Sequence, residues 1–127
     1  MAEIIKLFAQ NESGFHTLDS ASRLLPLIRR LTEEAQAETD KLAHKLGYFQ
    51  KNSPQYLSIA KQYDEIVARW VEKIQRLGAL AKGLWLVDFD TGSGYLCWVY
   101  PEEKIEYFHS YQSGFRGRKK LTETVLH

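Results

Sequence analysis

The stretch Arg76-Leu77-Gly78-Ala79-Leu80-Ala81-Lys82-Gly83-Leu84-Trp85-Leu86-Val87-Asp88-Phe89 decides the fold, because the periodicity of the chain changes inside it. Up to Leu77 the apolar residues recur at helical spacing: Tyr56, Ala60, Tyr63, Val67, Trp70, Ile74 and Leu77 alternate steps of four and three, as in a coiled-coil seam. Gly78 is a natural helix stop. From Gly83 onward the chain consists of short aromatic-rich runs separated by Gly and Pro, which is strand and turn composition.

Working upstream, Ser53-Pro54 is a helix start, with Ser at the N-cap and Pro at the first helical position. This predicts a helix over residues 54–78. An earlier one runs over 18–46, capped by Thr17, with Ala21, Leu24, Leu25, Ile28, Leu31, Ala35, Leu42 and Leu46 on one face. Pro26 interrupts this pattern without ending it, which predicts a kink near Leu25. Gly47 stands where a left-handed terminal residue is expected. The short link Gly47–Asn52 makes the pair an antiparallel hairpin.

Working downstream, Leu84–Phe89, Tyr95–Tyr100 and Ile105–His109 read as three strands of an antiparallel meander, and Ile4–Phe8 is a candidate fourth. Pairing Phe89 with Tyr95, and Pro101 with Lys104, puts Leu84, Leu86, Asp88, Leu96, Trp98, Tyr100, Ile105, Tyr107 and His109 on one face. Trp85, Val87, Phe89, Tyr95, Cys97, Val99, Glu106 and Phe108 take the other. Both faces are then apolar, and one hairpin cannot cover both. A homodimer is therefore expected. The fold class is α+β, a long two-helix hairpin on a small antiparallel sheet of three to four strands. A single domain spans 1–127, with an extension over 1–16, the hairpin over 17–80, the meander over 83–110 and a basic loop and tail over 111–127.

Composition bounds the function. The 127 residues carry 17 Lys plus Arg against 16 Asp plus Glu, so the net charge of +1 does not mark a generally basic nucleic-acid binder. No apolar run approaches the ~20 residues that cross a bilayer, and no basic segment precedes a long apolar core at the N-terminus. The reading is a soluble cytoplasmic chain without membrane partners. The single cysteine, Cys97, excludes an internal disulfide, and His16, His44, His109 and His127 lack metal-ligand spacing. No metal and no cofactor are expected, and Cys97, mid-strand in an apolar run, is expected to be inert.

Two regions carry a family resemblance. Thr17-Leu18-Asp19-Ser20-Ala21-Ser22-Arg23-Leu24-Leu25-Pro26 resembles an opening T-L-x-x-A-x-x-L-L-P. Leu86-Val87-Asp88-Phe89, Leu96-Cys97-Trp98, Tyr107-Phe108-His109 and Gly114-Phe115-Arg116-Gly117-Arg118 resemble an ordered L-V-D-F, L-C-W, aromatic-H and G-F-x-G-R series. Together they resemble the prokaryotic family called domain of unknown function 2203. The chain differs in its extra residues before Thr17, in Gly83-Leu84-Trp85-Leu86, and in Phe108 where the family typically has Trp. The resemblance implies an element order and no known activity.

Two places can carry chemistry. His109, at a strand end, can act as acid, base or ligand, and Asp88 on the same face, one strand away, can orient its ring. These two are the catalytic candidates. Gly114, Phe115, Arg116 and Arg118, with Tyr107 and Trp98, are the ligand-binding candidates: backbone freedom beside two guanidinium groups can form an anion pocket. The nearest acids in sequence are Glu106 and Glu123, which leaves the basic cluster uncompensated. The expected function is a non-enzymatic binding or scaffold protein with a small anionic ligand or a protein partner near Gly114–Arg118. One alternative is single-stranded nucleic-acid binding through Arg116–Lys120 and the interleaved aromatics. The other is an enzyme centred on His109, Asp88 and Arg118, disfavoured because no complete catalytic constellation is visible.

Overall fold

The structure, a computed structural model, describes residues 15–124. The strand candidate Ile4–Phe8 lies outside them. Helix α1 spans Leu18–Leu46 and helix α2 spans Pro54–Arg76. Both start where the local signals place them. The Thr17 hydroxyl accepts from the Ser20 amide at 3.1 Å while the Ser20 hydroxyl accepts from the Thr17 amide at 2.9 Å, a reciprocal cap. Ser53 caps α2 by accepting from the Tyr56 amide at 3.2 Å. Pro26 stands inside a continuous α1.

The helix ends differ in part from expectation. Gly47 is right-handed, at φ −65°. The left-handed turn of the link is made by Asn52, at φ 67°, just before the cap of α2. Gly78 does close α2, at φ 85°. Its amide reaches the Gln75 carbonyl at 3.0 Å and the Ala79 amide reaches that of Ile74 at 3.2 Å, so carbonyls left open at the helix end are satisfied.

Five strands follow in simple order: β1 Leu80–Gly83, β2 Leu86–Asp90, β3 Tyr95–Val99, β4 Tyr107–His109 and β5 Lys119–Lys120, all antiparallel. A short helix α3, Leu121–Thr124, ends the described chain. The strand count exceeds the expected three to four, because Leu80–Gly83 is a strand rather than a connection and Lys119–Lys120, expected in the basic loop and tail, pairs with Tyr107-Phe108 at the far edge. Leu84-Trp85 forms the turn to β2 rather than the start of a strand, with Trp85 at φ 61°. That conformation is costly for a bulky residue. Its ring packs edge-on against Trp70 at 5.0 Å, and its carbonyl accepts from the Tyr100 amide at 3.0 Å, so tertiary contacts hold it.

The register corrects the face assignment. Asp90, not Phe89, pairs with Tyr95, and Cys97 pairs with Tyr107. Each turn is one residue away from the expected pairing, in opposite senses. The two slips cancel for β4 and invert only β3, because side chains alternate with period two. Val87, Phe89, Leu96 and Trp98 share the inner face and form one core with Ala21, Leu25, Ile28, Trp70 and Ile74 of the hairpin. Asp88, Asp90, Tyr95, Cys97, Tyr107 and His109 share the outer face. Leu86 and Val99 pair at the far end of that face, which therefore mixes polar and apolar residues and is not the continuous apolar surface that motivated a dimer.

Gly94 makes the pairing of β3 with β4 feasible. A Cβ there would sit 2.7 Å from the His109 carbonyl oxygen and would also strike the Phe108 ring.

Candidate functional site

Three adjacent strands each send one polar side chain to the outer face, and the three meet. Asp88 and Cys97 are a direct cross-strand pair. His109 pairs with Tyr95, two residues along β3 from Cys97, and its ring reaches diagonally over that strand. His109 Nε2 lies 2.9 Å from Asp88 Oδ2. His109 Nδ1 lies 2.9 Å from the Ser110 carbonyl, which can only accept, so Nδ1 carries a proton. One further proton then lies between Nε2 and Oδ2, whichever atom holds it. Asp88, Cys97 and His109 are all buried, at 2%, 0% and 4% exposure.

The other carboxylate oxygen, Asp88 Oδ1, is buried without any hydrogen-bond partner. Such a group costs about 1–3 kcal/mol. The Cys97 thiol is pushed up to about 12, first by burial and then by the Asp88 carboxylate beside it, with Arg118 pulling weakly the other way. Near neutral pH it is a thiol, consistent with the expected inertness.

Arg118 lies next to this group and is already paired. Its Nη1 and Nη2 donate to Glu102 Oε1 and Oε2 at 3.1 and 2.9 Å, a two-pronged ion pair. Burial works against its charge, but Glu102 outweighs this and raises the guanidinium pKa above its ordinary value. Tyr107 and Phe115 lie against the guanidinium, with ring centroids 3.9 and 4.5 Å away. Glu102 is itself held: Oε1 accepts from the Val99 amide at 2.8 Å, and its carbonyl accepts from Trp98 Nε1 at 2.7 Å and Arg29 Nη1 at 3.1 Å. For Arg118 the expectation of an uncompensated basic cluster is therefore corrected. The compensating acid comes from the turn after Pro101, not from Glu106 or Glu123.

The segment after β4 folds onto the outer face. Ser110 and Ser113 exchange amide-to-hydroxyl hydrogen bonds at 3.2 and 3.1 Å. The Tyr111 hydroxyl donates to Asp90 Oδ1 at 2.7 Å, which raises the phenol pKa. The Tyr111 ring meets Tyr95, whose own ring stands 5.4 Å from that of His109. Phe115 heads a single 3-10 turn, Phe115–Gly117, after Gly114 at φ 65°.

A comparison with protein-family profiles matches residues 15–121 to the family described as "Uncharacterized conserved protein (DUF2203)". The chain belongs to this family. Comparison with curated proteins and with solved structures gives no match. In this DUF2203 chain the L-V-D-F, L-C-W and aromatic-H stretches become β2, β3 and β4, and each supplies one member of the buried group. The G-F-x-G-R stretch supplies Arg118 beside it.

The predicted site residues divide. Asp88 and His109 come together as expected, and Tyr107, Phe115 and Arg118 stack in one column. Trp98 does not join them. It is fully buried on the inner face, a consequence of the β3 inversion, and touches the site only through the Glu102 carbonyl. Arg116 is exposed and forms no ion pair among the described residues. Two residues outside the sequence candidates belong to the site: Cys97, expected to be inert and brought in by register, and Glu102, whose place in the turn after Tyr100-Pro101 was its only signal. No helix among the described residues is long and apolar enough to cross a membrane.

Proposed function

We propose that this is a non-enzymatic binding protein that takes an anionic ligand on the outer ledge formed by Phe115 and Arg116. The observation that carries the reading is the Arg118–Glu102 pair. It withdraws Arg118 from ligand binding and makes it a rigid post beneath Phe115, which stays 45% exposed with the unpaired Arg116 next in sequence. An exposed ring beside an uncompensated guanidinium suits a phosphate or carboxylate attached to a flat group. Isothermal titration with pyrophosphate and with a short deoxythymidine oligonucleotide tests this. Saturable pyrophosphate binding that Arg116→Ala weakens at least tenfold supports it, and no binding of either probe overturns it. Oligonucleotide binding that falls steeply with salt favours the nucleic-acid alternative, since counterion release sets that slope.

The direct Asp88–His109 contact favours a second reading, an enzyme centred on His109, Asp88 and Arg118. The burial of the pair and the engagement of Arg118 by Glu102 weigh against it. A turnover that His109→Gln removes would bring it forward. Self-association as a homodimer and a cytoplasmic, prokaryotic setting complete the proposal. With the sheet's inner face already covered by the hairpin, a dimer would have to use another surface, and light scattering that returns the mass of one chain ends that part.

A further inference from the structure

We infer that Asp88, Cys97 and His109 form a binding site for a thiophilic divalent cation of the zinc type. The inference concerns the buried side of the outer face and does not depend on the anion-binding reading. One oxygen, one sulfur and one nitrogen, each from a different strand, lie within 4.8 Å of one another. The β2–β3–β4 ladder fixes their backbones, so the donor atoms converge without a loop having to fold around the ion.

Two further observations point to a ligand. The first is Asp88 Oδ1, a carboxylate oxygen buried among these residues without a hydrogen-bond partner, with the weak donor Cys97 as its neighbour. The His109 contact alone therefore leaves the carboxylate incompletely satisfied. The second is the orientation of His109. Its Nδ1–H is directed to the Ser110 carbonyl, which turns Nε2 toward Asp88. A histidine that donates one ring N–H to a backbone carbonyl and presents the other nitrogen is the usual geometry of a metal-ligating imidazole.

The donor set selects the ion. A thiolate and an imidazole favour zinc-like ions, whereas magnesium and calcium require oxygen ligands. Three protein ligands leave one tetrahedral position for water or another ligand. The charges balance, with one carboxylate and one thiolate against a doubly charged ion, which suits a site with little solvent. The protons balance as well. The ion displaces the proton on Cys97 and the one between His109 Nε2 and Asp88 Oδ2, and both leave to solvent. The Nδ1 proton stays on the Ser110 carbonyl. Arg118, next to Cys97, has its charge matched by Glu102, so it does not add an unbalanced cation.

The test uses the full chain and cobalt(II) as a spectroscopic stand-in for zinc. One cobalt per chain, with a thiolate-to-cobalt charge-transfer band and the intense visible bands of tetrahedral cobalt, is the expected result. Zinc should bleach both. Cys97→Ser keeps the shape of the residue, and circular dichroism reports whether it folds. In that variant the charge-transfer band should vanish and affinity should fall at least a hundredfold. His109→Gln should lose the tetrahedral bands. Should either variant fail to fold, the zinc-induced rise in the wild-type melting temperature, absent with magnesium, provides an independent reading. Absence of 1:1 binding, weak octahedral bands, or a spectrum unchanged in folded Cys97→Ser would overturn the proposal.

Discussion

The two faces of the sheet are built in different ways. On the inner face Val87, Phe89, Leu96 and Trp98 meet the hairpin in a close-packed apolar core, where shape and volume dominate. On the outer face Asp88, Cys97, His109, Arg118 and Glu102 meet through directed contacts, where one missing atom leaves a charge or donor without a partner. The inner face should therefore respond to substitution in proportion to volume lost. The outer face should respond according to whether a partner is stranded.

The largest effect should come from the inner side. Trp70 is 2% exposed and its Nε1 donates to Thr32 Oγ1 at 2.9 Å, so Trp70→Ala should lower stability by about 3–5 kcal/mol in a urea titration. An unchanged midpoint would contradict the proposed role of the hairpin–sheet core. Next is Glu102→Ala, which leaves the largely buried Arg118 without its carboxylate. A loss of about 1.5–3 kcal/mol is expected. If Glu102→Ala were neutral, the outer face would be a solvated surface and the contrast between the faces would fail. Ser53→Ala removes the cap of α2 and should cost about 1 kcal/mol, independent of either face.

Arg116→Ala should change stability by less than about 0.5 kcal/mol even where it removes ligand binding, since its side chain is exposed and unpaired. The smallest effect is a null one. Cys97 in the native protein should not react with a thiol reagent near pH 8, and should react fully once unfolded. Its folded pKa, about 12, lies above the ordinary 9.0, so the folded state keeps its proton longer than the unfolded state. The thiol's contribution is thus fully present below about pH 9 and is lost as pH rises toward 12. Wild-type protein should therefore lose stability over that window faster than Cys97→Ala. Rapid modification at pH 8 would mean that the outer face opens readily.

The helical half was legible because its signals are local. Thr17 and Ser53 cap within three residues, and the apolar stripe repeats every turn, so the chain near each end specifies α1 and α2 almost unaided. Pro54 placed the start of α2, and the α+β class followed from the change of period near Gly83. The site was legible only in part. Asp88 and His109 were found on one face because two register slips of opposite sense cancel between β2 and β4.

What the chain order could not specify was the inversion of β3. A one-residue change in a turn leaves composition and periodicity intact yet exchanges every side chain of the strand between core and surface. That single choice buries Trp98 under the hairpin and sets Cys97 between Asp88 and His109. The pairing of Arg118 with Glu102 is of the same kind, since they lie sixteen positions apart and only the assembled sheet brings them together. Caps and periodicity act over a few residues and can be read in one dimension. Register and ion pairing depend on how distant segments compete for the same space, which packing resolves.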